Sequence, residues 1–397
     1  MLSALLFPAL APEYWQWKER NFYDERDIGL EQTDARNFQH EVPQDTSVKS
    51  INILSIDGGG VFGIIPATIL AKLTECVQAD TPGRELWQDF NVIAGNSTGS
   101  IIAAGLVSKV RSTPPYALTA AELAQVYLQD AKKIFPPEPP SMSGRLSKVL
   151  FGKSLYHNED RLNVIGSYLG YALSKDALTD FLIPFYDINS GPIYYTRNHG
   201  AHERTFRGAY TDFSESKFVY MADLVMYSSA APIYFSPFRG RDTQTRIDIG
   251  KRRLPGYVAY DGALYQNNPT LLAIMEARRN DPNARLNVLS LGDGVSYRGS
   301  MLGPIDFKEP KNNVYSLVLL PAFMEGEARA VDEYLRSDPN ISYTRIDVPI
   351  PPGTSLSMDD ASDEHMQKLL RIAGDAAASA SMEISTVCNQ LRRNRQP

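Results

Sequence analysis

Two glycine-rich turns, each between an apolar segment and a helical one, constrain the fold of this 397-residue chain most strongly. Ile51–Ile56 is a short apolar run that ends in Asp57-Gly58-Gly59-Gly60. Phe90–Ala94 leads in the same way into Gly95-Asn96-Ser97-Thr98-Gly99, and residues with helical spacing follow each turn. A repeated strand, glycine turn and helix is typical of a parallel α/β sheet. We therefore predict an α/β fold with functional residues at the carboxyl ends of these strands.

The composition excludes several classes of function. The formal net charge of −6 argues against binding to a nucleic acid polymer and against recruitment to membranes by a basic patch. The sequence contains no run of about 18 apolar residues, so we predict no transmembrane helix. Cys76 and Cys388 are too few for a disulfide framework or a cysteine-rich metal site, which fits a reducing compartment. These features predict a cytoplasmic protein.

The second turn has the pattern G-x-S-x-G of a nucleophile elbow, with Ser97 at its centre. Flanking glycines allow the backbone to make the strained turn that exposes the serine. The helix that follows directs its N-terminal amides and its dipole toward charge that develops at the serine. Ser97 is therefore the candidate nucleophile, although a serine in an ordinary glycine turn is the alternative.

The first turn admits two interpretations. Gly58, Gly60 and Gly63 fit the dinucleotide pattern G-x-G-x-x-G, but the second strand then needs a terminal acidic residue to hold a ribose. It ends at the Ser97 turn instead. Consecutive glycines also present unobstructed amides, which can stabilise an oxyanion. We favour an oxyanion hole formed by Gly58, Gly59, Gly60 and Gly63.

A serine nucleophile needs a base, and two residues are candidates. His365 follows in the chain order expected of an α/β-hydrolase, but its charged neighbours predict a solvated residue in the first turn of a helix. Asp261 lies in a tight turn after the predicted strand Tyr257–Tyr260. A carboxylate with an ordinary pKa of about 3.9 is a weak base, which burial can strengthen. We favour Asp261.

Three motifs in this order, Asp57-Gly58-Gly59-Gly60, Gly95-x-Ser97-x-Gly99 and Asp261-Gly262-Ala263, resemble those of the patatin-like phospholipases. Shorter similarities support this over residues 50–300: Ser229–Phe235, Asn267-Asn268-Pro269 and Leu289–Gly292. The resemblance implies a three-layer α/β/α sandwich with a mostly parallel central sheet, related to that of cytosolic phospholipase A2. It also implies a Ser97–Asp261 dyad that needs no metal or other cofactor.

The resemblance further implies a lipid acyl hydrolase that releases fatty acids from membrane phospholipids and lies transiently on the membrane surface. Activation by a protein partner or a cyclic nucleotide is a further expectation. One departure is Phe62, where many relatives carry arginine in the glycine loop. It supports the alternative of a weakly active or inactive binding or scaffold protein.

The domain organisation predicted from these features has three parts. Residues 1–49 form an N-terminal arm packed on the core, 50–305 the catalytic domain, and 306–397 a mainly helical extension that completes the same domain. The proline-rich segment at 135–151 predicts a surface connection or, alternatively, a lid over the site.

Overall fold

The computed structural model describes residues 37–40, 49–136, 153–189, 191–197, 201–205, 210–211, 219–240, 247–249, 252–254, 257–296, 315–351 and 353–395. Most of the predicted arm at 1–49 lies outside these residues, as does most of the predicted connection or lid at 135–151.

The two strand–turn–helix units lie at the centre of a mixed β-sheet. Its strands run in the order β1-β14-β12-β2-β3-β4-β5-β6-β7, and β11 pairs with β4 and β8. The pairs from β14 to β4 are parallel, whereas β1 and the strands beyond β4 pair antiparallel. The strands are β1 Asn37–His40, β2 Ser50–Ile56, β3 Val92–Gly95, β4 Asp180–Asp187, β5 Gly191–Arg197, β6 Ala201–Thr205, β7 Tyr210–Thr211, β8 Phe238–Arg239, β9 Ile247–Ile249, β10 Arg252–Leu254, β11 Val258–Asp261, β12 Arg285–Leu291, β13 Val295–Ser296, β14 Ile341–Ile346 and β15 Pro349–Ile350.

Helices connect the strands and cover the sheet. The α-helices are α1 Ile64–Asp80, α2 Thr98–Val107, α3 Ala120–Gln125, α4 Ala131–Ile134, α5 Asn158–Leu169, α6 Met221–Ser228, α7 Thr270–Asn280, α8 Tyr315–Ser337, α9 Asp363–Ser379 and α10 Ser381–Arg393. Short 3₁₀ turns occur at Gly60–Gly63 and Gly262–Leu264, and a π-turn at Val126–Asp130 joins α3 to α4.

Hydrophobic residues fill both faces of the sheet. Along β2, Leu54 and Ile56 pack in one cluster with α1 and α2, whereas Ile51 and Ile53 pack in a second cluster with α7 and α8. A strand buried on both faces reads as a continuous apolar run, as the sequence shows here. The predicted α/β fold with helices on both faces is therefore confirmed, and the sheet as a whole is mixed.

Helix α1 is the most apolar long helix of the described residues. Together with the preceding turn it forms the segment Gly60–Asp80, which is long and apolar enough by composition to cross a membrane. Most of that segment is buried within the protein, as expected of a core helix.

The two cysteines form a single disulfide, which was not predicted from the sequence. Cys76 on α1 and Cys388 on α10 are joined as a disulfide across 312 residues of sequence. Two cysteines so far apart form no local pattern, so their pairing depends on the packing of α10 beside α1. The cytoplasmic location stays a prediction.

The region after residue 306 contributes to both the sheet and its cover. Strand β14 pairs in parallel with β12, and β1 from the predicted N-terminal arm pairs with the other edge of β14. The end of the predicted helical extension contains two consecutive helices, α9 and α10, which meet at Ala380. Ala380 is buried, and no glycine or proline marks the break.

Candidate active site

Ser97 lies between β3 and α2 in a strained backbone conformation. Its φ of 49° and ψ of −119° fall in a region of backbone conformation that residues other than glycine rarely adopt. Such a conformation costs on the order of 1–3 kcal/mol and persists where the surroundings enforce it. The turn also brings Gly99 close to β2, because a Cβ at residue 99 would lie 2.3 Å from the Ile56 carbonyl oxygen. A larger residue at 99 would therefore force the elbow away from the sheet.

Asp261, the last residue of β11, accepts a hydrogen bond from Ser97. The distance from Ser97 Oγ to Asp261 Oδ2 is 2.7 Å. The other carboxyl oxygen accepts from the backbone amide of Ala263 at 2.8 Å and from the Asn96 side chain at 3.4 Å. The structure thus brings together the predicted nucleophile and the predicted base.

The environment of Asp261 makes its carboxylate a stronger base. Burial raises the pKa of Asp261 to about 6, against the effect of the Ala263 amide, the Ser97 hydroxyl and the Arg161 charge. A carboxyl group with this pKa is mostly ionised at neutral pH but accepts a proton more readily than an exposed aspartate.

Amide and hydroxyl groups on neighbouring segments support the turn that carries Ser97. The Ser97 amide donates to Ser228 Oγ at 3.1 Å, and that hydroxyl donates to Asn96 Oδ1 at 3.3 Å. The Asn96 side chain also donates to Asn267 Oδ1 at 3.3 Å, and Asn267 in turn donates to the Gly58 carbonyl at 3.1 Å. These contacts join the serine, the aspartate and the glycine loop.

Helix α8 holds the loop that follows Asp261. Glu327 accepts hydrogen bonds from the Asn268 amide at 2.8 Å and from the Gln266 side chain. Burial raises the pKa of Glu327 to about 7, although the backbone amide of Asn268 opposes this shift. The region after residue 306 therefore supports the Asp261–Asn268 segment directly.

The predicted oxyanion glycines begin where β2 ends, beside Ser97. A Cβ at Gly58 would lie 2.7 Å from the Ser97 Cβ, and Gly60, with a φ of 61°, lines the pocket described below. Gly59 packs against Asp293, and Gly63 packs against Thr98 and Tyr127. The amide of Gly58 donates to the Asn267 carbonyl at 3.4 Å.

A buried ionic cluster supports the start of this loop. Arg345 on β14 donates to Asp57 at 2.7 Å, to Asp347 at 2.7 Å and to Ser290 at 2.8 Å. Burial raises the pKa of Asp57 to about 6, and the Arg345 charge opposes that shift. Burial and the neighbouring Asp347 and Asp57 raise the pKa of Asp293 well above its usual value. Arg345 thus forms buried ion pairs with two carboxyl groups, those of Asp57 and Asp347.

An apolar pocket opens beside the serine and the aspartate. Most of its lining is aliphatic, aromatic or thioether: Val61, Ile101, Val126, Tyr127, Ala131, Ile134, Phe135, Ala231, Tyr234, Phe235, Met324 and Met358. The π-turn between α3 and α4 places Tyr127 here, where its hydroxyl contacts Thr98 Oγ1 at 2.7 Å and donates to the Thr98 carbonyl at 3.0 Å. π-Turns are frequent at functional sites. The pocket suits a hydrocarbon chain.

His365 is not the solvated residue predicted from its neighbours. Its side chain is buried, and its ring lies 5.9 Å from the ring of Phe62 in an edge-to-face arrangement. Residues 365, 369 and 373 share the inner face of α9 because they are four apart. Among the described residues, neither His365 nor Phe62 lines the pocket.

Several residues of the site carry no motif of their own. Asn96 is an unspecified position of the elbow motif and Ser228 precedes the Ser229–Phe235 segment, but their roles depend on contacts across more than 130 residues. No local sequence signal marks Arg161, on α5, or Arg345, on β14, as part of the site.

A mixed α/β sheet with this hydrogen-bonded pair at the carboxyl edge of its parallel strands, beside an apolar pocket, places the chain among the α/β lipid hydrolases. The profile of one family, described as patatin-like phospholipase, matches residues 54–274, which is more than half of the chain. The protein belongs to the patatin-like phospholipase family, and the resemblance seen in its motifs is confirmed.

Plant relatives match most of the chain. Patatin-like protein 2 of Oryza sativa subsp. indica is 29% identical over 357 residues, covering 82% of this chain and 83% of its own. Patatin-like protein 2 of Arabidopsis thaliana is 28% identical and covers 86% of each chain. Among solved structures, human GIVD cytosolic phospholipase A2 has a TM-score of 0.44 at 10% identity, over 89% of this chain and 64% of that one.

Proposed function

We propose that this protein is a serine lipid acyl hydrolase that releases fatty acids from phospholipids. The observation that carries the proposal is the 2.7 Å hydrogen bond from Ser97 Oγ to a buried Asp261, at one side of an apolar pocket. The pocket would take the acyl chain and place its ester carbonyl beside Ser97. Membership of the patatin-like phospholipase family supports a lipid substrate.

In the first half-reaction, Ser97 Oγ attacks the ester carbonyl carbon while Asp261 takes the hydroxyl proton. The resulting tetrahedral intermediate collapses with cleavage of the carbon–oxygen bond to the lysophospholipid. Asp261 returns the proton to that leaving oxygen, so the acyl group remains on Ser97 as an ester. The raised pKa of Asp261, about 6, suits both proton transfers near neutral pH.

In the second half-reaction, water attacks the acyl-enzyme. Asp261 takes a proton from that water and delivers it to Ser97 Oγ as the carbon–oxygen bond breaks. The products are a free fatty acid and the original enzyme. No metal or other cofactor is needed for either step.

The glycine loop would stabilise the negative oxygen of both intermediates. The Gly58 amide already donates to Asn267, so we assign the oxyanion hole chiefly to the amides of Gly59 and Gly60. Gly58 and Gly63 would shape the loop, because each packs closely against the elbow residues Ser97 and Thr98. Loss of one oxyanion donor typically lowers the rate by about 10²–10³-fold.

We further propose that the protein lies in the cytoplasm and visits the membrane surface to reach its substrate. Activation by a protein partner or a cyclic nucleotide is part of this proposal. Fatty acid release from vesicles with and without added cyclic nucleotide, or a cell extract, tests that part separately.

The serine itself is tested by Ser97→Ala. Hydrolysis of phosphatidylcholine vesicles by this variant should fall to background, and a fluorophosphonate probe should label the wild-type protein but not the variant. Ser108→Ala is a matched control, since Ser108 is buried at the other end of α2. It should retain both activities. Failure of the wild-type protein to react with the probe would favour the binding or scaffold alternative and contradict the proposal.

A further inference from the structure

Arg161 on α5 is a buried arginine that lines the pocket together with Ser97 and Asp261. Its guanidinium group lies 4.2 Å from the centre of the Phe235 ring, at a distance typical of a cation–π contact. On its outer side it donates to the Asn158 side chain at 2.8 Å. The charge is therefore held in one orientation.

The same guanidinium group caps the carboxyl end of α6. It donates to the Met226 carbonyl at 3.2 Å and to the carbonyl of Ser229. Carbonyls at a helix end lack partners within the helix, and a cation stabilises them and the local dipole. Arg161 thus fixes the position at which α6 ends.

This helix end contacts both members of the Ser97–Asp261 pair. Ser228 accepts the hydrogen bond from the Ser97 amide at 3.1 Å. Two residues further on, the Ala230 carbonyl accepts one from the Asp261 amide at 3.0 Å. A shift of the α6 end would therefore move the serine and the aspartate relative to each other.

Arg161 also supplies positive charge beside Asp261. The groups that hydrogen-bond to the Asp261 carboxyl among the described residues are neutral: the Ser97 hydroxyl, the Asn96 amide and the Ala263 amide. The charged residues on the strands beside β11 lie opposite its earlier residues rather than opposite Asp261. Asp187 is opposite Ala259, and Arg239 is opposite Val258. Asp223 lies in the first turn of α6, at the opposite end from Ser228.

We propose that Arg161 is a positioning residue of this active site, which fixes the α6 end against both Ser97 and Asp261 and places a buried positive charge in the pocket that both of them line. The inference rests on the proposed hydrolase function. It predicts an effect on the geometry of the pair and a separate effect on the pH at which the base works.

Arg161→Met removes the charge and the hydrogen bonds but keeps much of the volume. With a p-nitrophenyl ester of a medium-chain fatty acid, kcat per fluorophosphonate-titrated site should fall roughly 10- to 100-fold while KM changes little. The wild-type activity should decline as pH falls through about 6, where Asp261 becomes protonated. In Arg161→Met this acidic limb of the pH–activity profile should move to higher pH by about one unit. Arg161→Lys should keep the wild-type limb with an intermediate kcat.

Asn158→Asp provides a second test that leaves Arg161 in place. The new carboxylate would pair with the guanidinium at a half-buried position at the start of α5, where an acidic residue is favoured. It should move the acidic limb upward by a smaller amount without loss of folded protein. If the acidic limb of the pH–activity profile does not move in this variant, or in folded Arg161→Met, the inference about Arg161 is overturned and the proposed function is not. A wild-type protein that neither hydrolyses the ester nor reacts with the probe would overturn the proposed function, and this inference with it.

Discussion

The nucleophile elbow and the glycine loop end neighbouring parallel strands, but different interactions hold them in place. The elbow backbone is held by groups that do not titrate: the Ser97 amide donates to the Ser228 hydroxyl, which donates to the Asn96 side-chain oxygen. The glycine loop starts at Asp57, which is held by the buried charge of Arg345. A neutral hydrogen bond contributes about 0.5–1.5 kcal/mol, whereas breaking a buried ion pair costs about 3–5 kcal/mol. The backbone support of the elbow should therefore be insensitive to pH, whereas that of the loop should depend on pH.

Asp261 is the titrating group that contacts the elbow, since it accepts the hydrogen bond from the Ser97 hydroxyl, and its replacement should show the largest effect on activity. Asp261→Asn keeps the shape but removes the proposed base, so ester hydrolysis should fall by at least about 10³-fold. Burial raises the pKa of Asp261 to about 6, so the folded protein holds this proton more tightly than the unfolded chain does. Ionisation of the carboxyl group therefore lowers the stability of the folded protein as pH rises from near 4 through 6. The variant should therefore be more stable at pH 7, by on the order of 1–3 kcal/mol.

Urea denaturation and ester hydrolysis together measure these two effects. Asp187→Asn is the control, since Asp187 is also buried and lies on the neighbouring strand β4. Its activity per folded molecule should stay within about threefold of the wild type, because its carboxyl group bonds to backbone amides remote from the elbow. An Asp261→Asn variant with substantial activity would remove Asp261 from the mechanism.

Arg345 tests the other side of the comparison. Arg345→Met leaves the carboxyl groups of Asp57 and Asp347 without their cation, so the free energy of unfolding at pH 7.5 should fall by about 3–5 kcal/mol. The loss should shrink below pH 6, because the Asp57 carboxyl then takes up a proton. Urea denaturation at both pH values measures this. Lys72→Met removes an ion pair with Glu75 that is exposed at both partners and should change stability by about 0.5 kcal/mol or less. Equal losses at both pH values would show that the loop does not depend on charge.

Ser228 should show the smallest effect of the three. Ser228→Ala leaves the buried Ser97 amide without its acceptor, which costs about 1–3 kcal/mol of stability. We expect kcat to fall roughly tenfold, equally at pH 6.5 and pH 8, since no charge changes. Ser167→Ala, which removes a hydroxyl that bonds within α5, serves as the control. A pH-dependent loss in Ser228→Ala would contradict the contrast between elbow and loop.

The sequence predicted the parts of the fold that have local signals. The apolar runs of β2 and β3 and the glycine turns after them required a parallel sheet with its site at one edge, and Ser97 and Asp261 followed from their motifs. Helix α8 was not predicted, because Pro321 and Gly326 interrupt its pattern. Tertiary packing stabilises it nonetheless, with Val331 and Leu335 buried against the sheet.

Contacts between distant segments could not be predicted in this way. Arg345 meets Asp57 across 288 residues, and Arg161 meets Ser229 across 68. Each depends on the order of strands and helices, which one sequence does not reveal. His365 was placed wrongly because its charged neighbours outweighed the spacing to Leu369. The same charge pattern fits a helix with one buried face and one solvated face.

The left-handed backbone of Ser97 has a consequence for attempts to make this protein more heat-resistant. Glycine adopts such a conformation without penalty, so a substitution that ends the proposed chemistry would also relax the fold at this point. Selection for thermal endurance alone would therefore favour loss of the nucleophile. A library screened in this way needs a simultaneous requirement for turnover, or it will enrich well-folded proteins that can no longer cleave an ester.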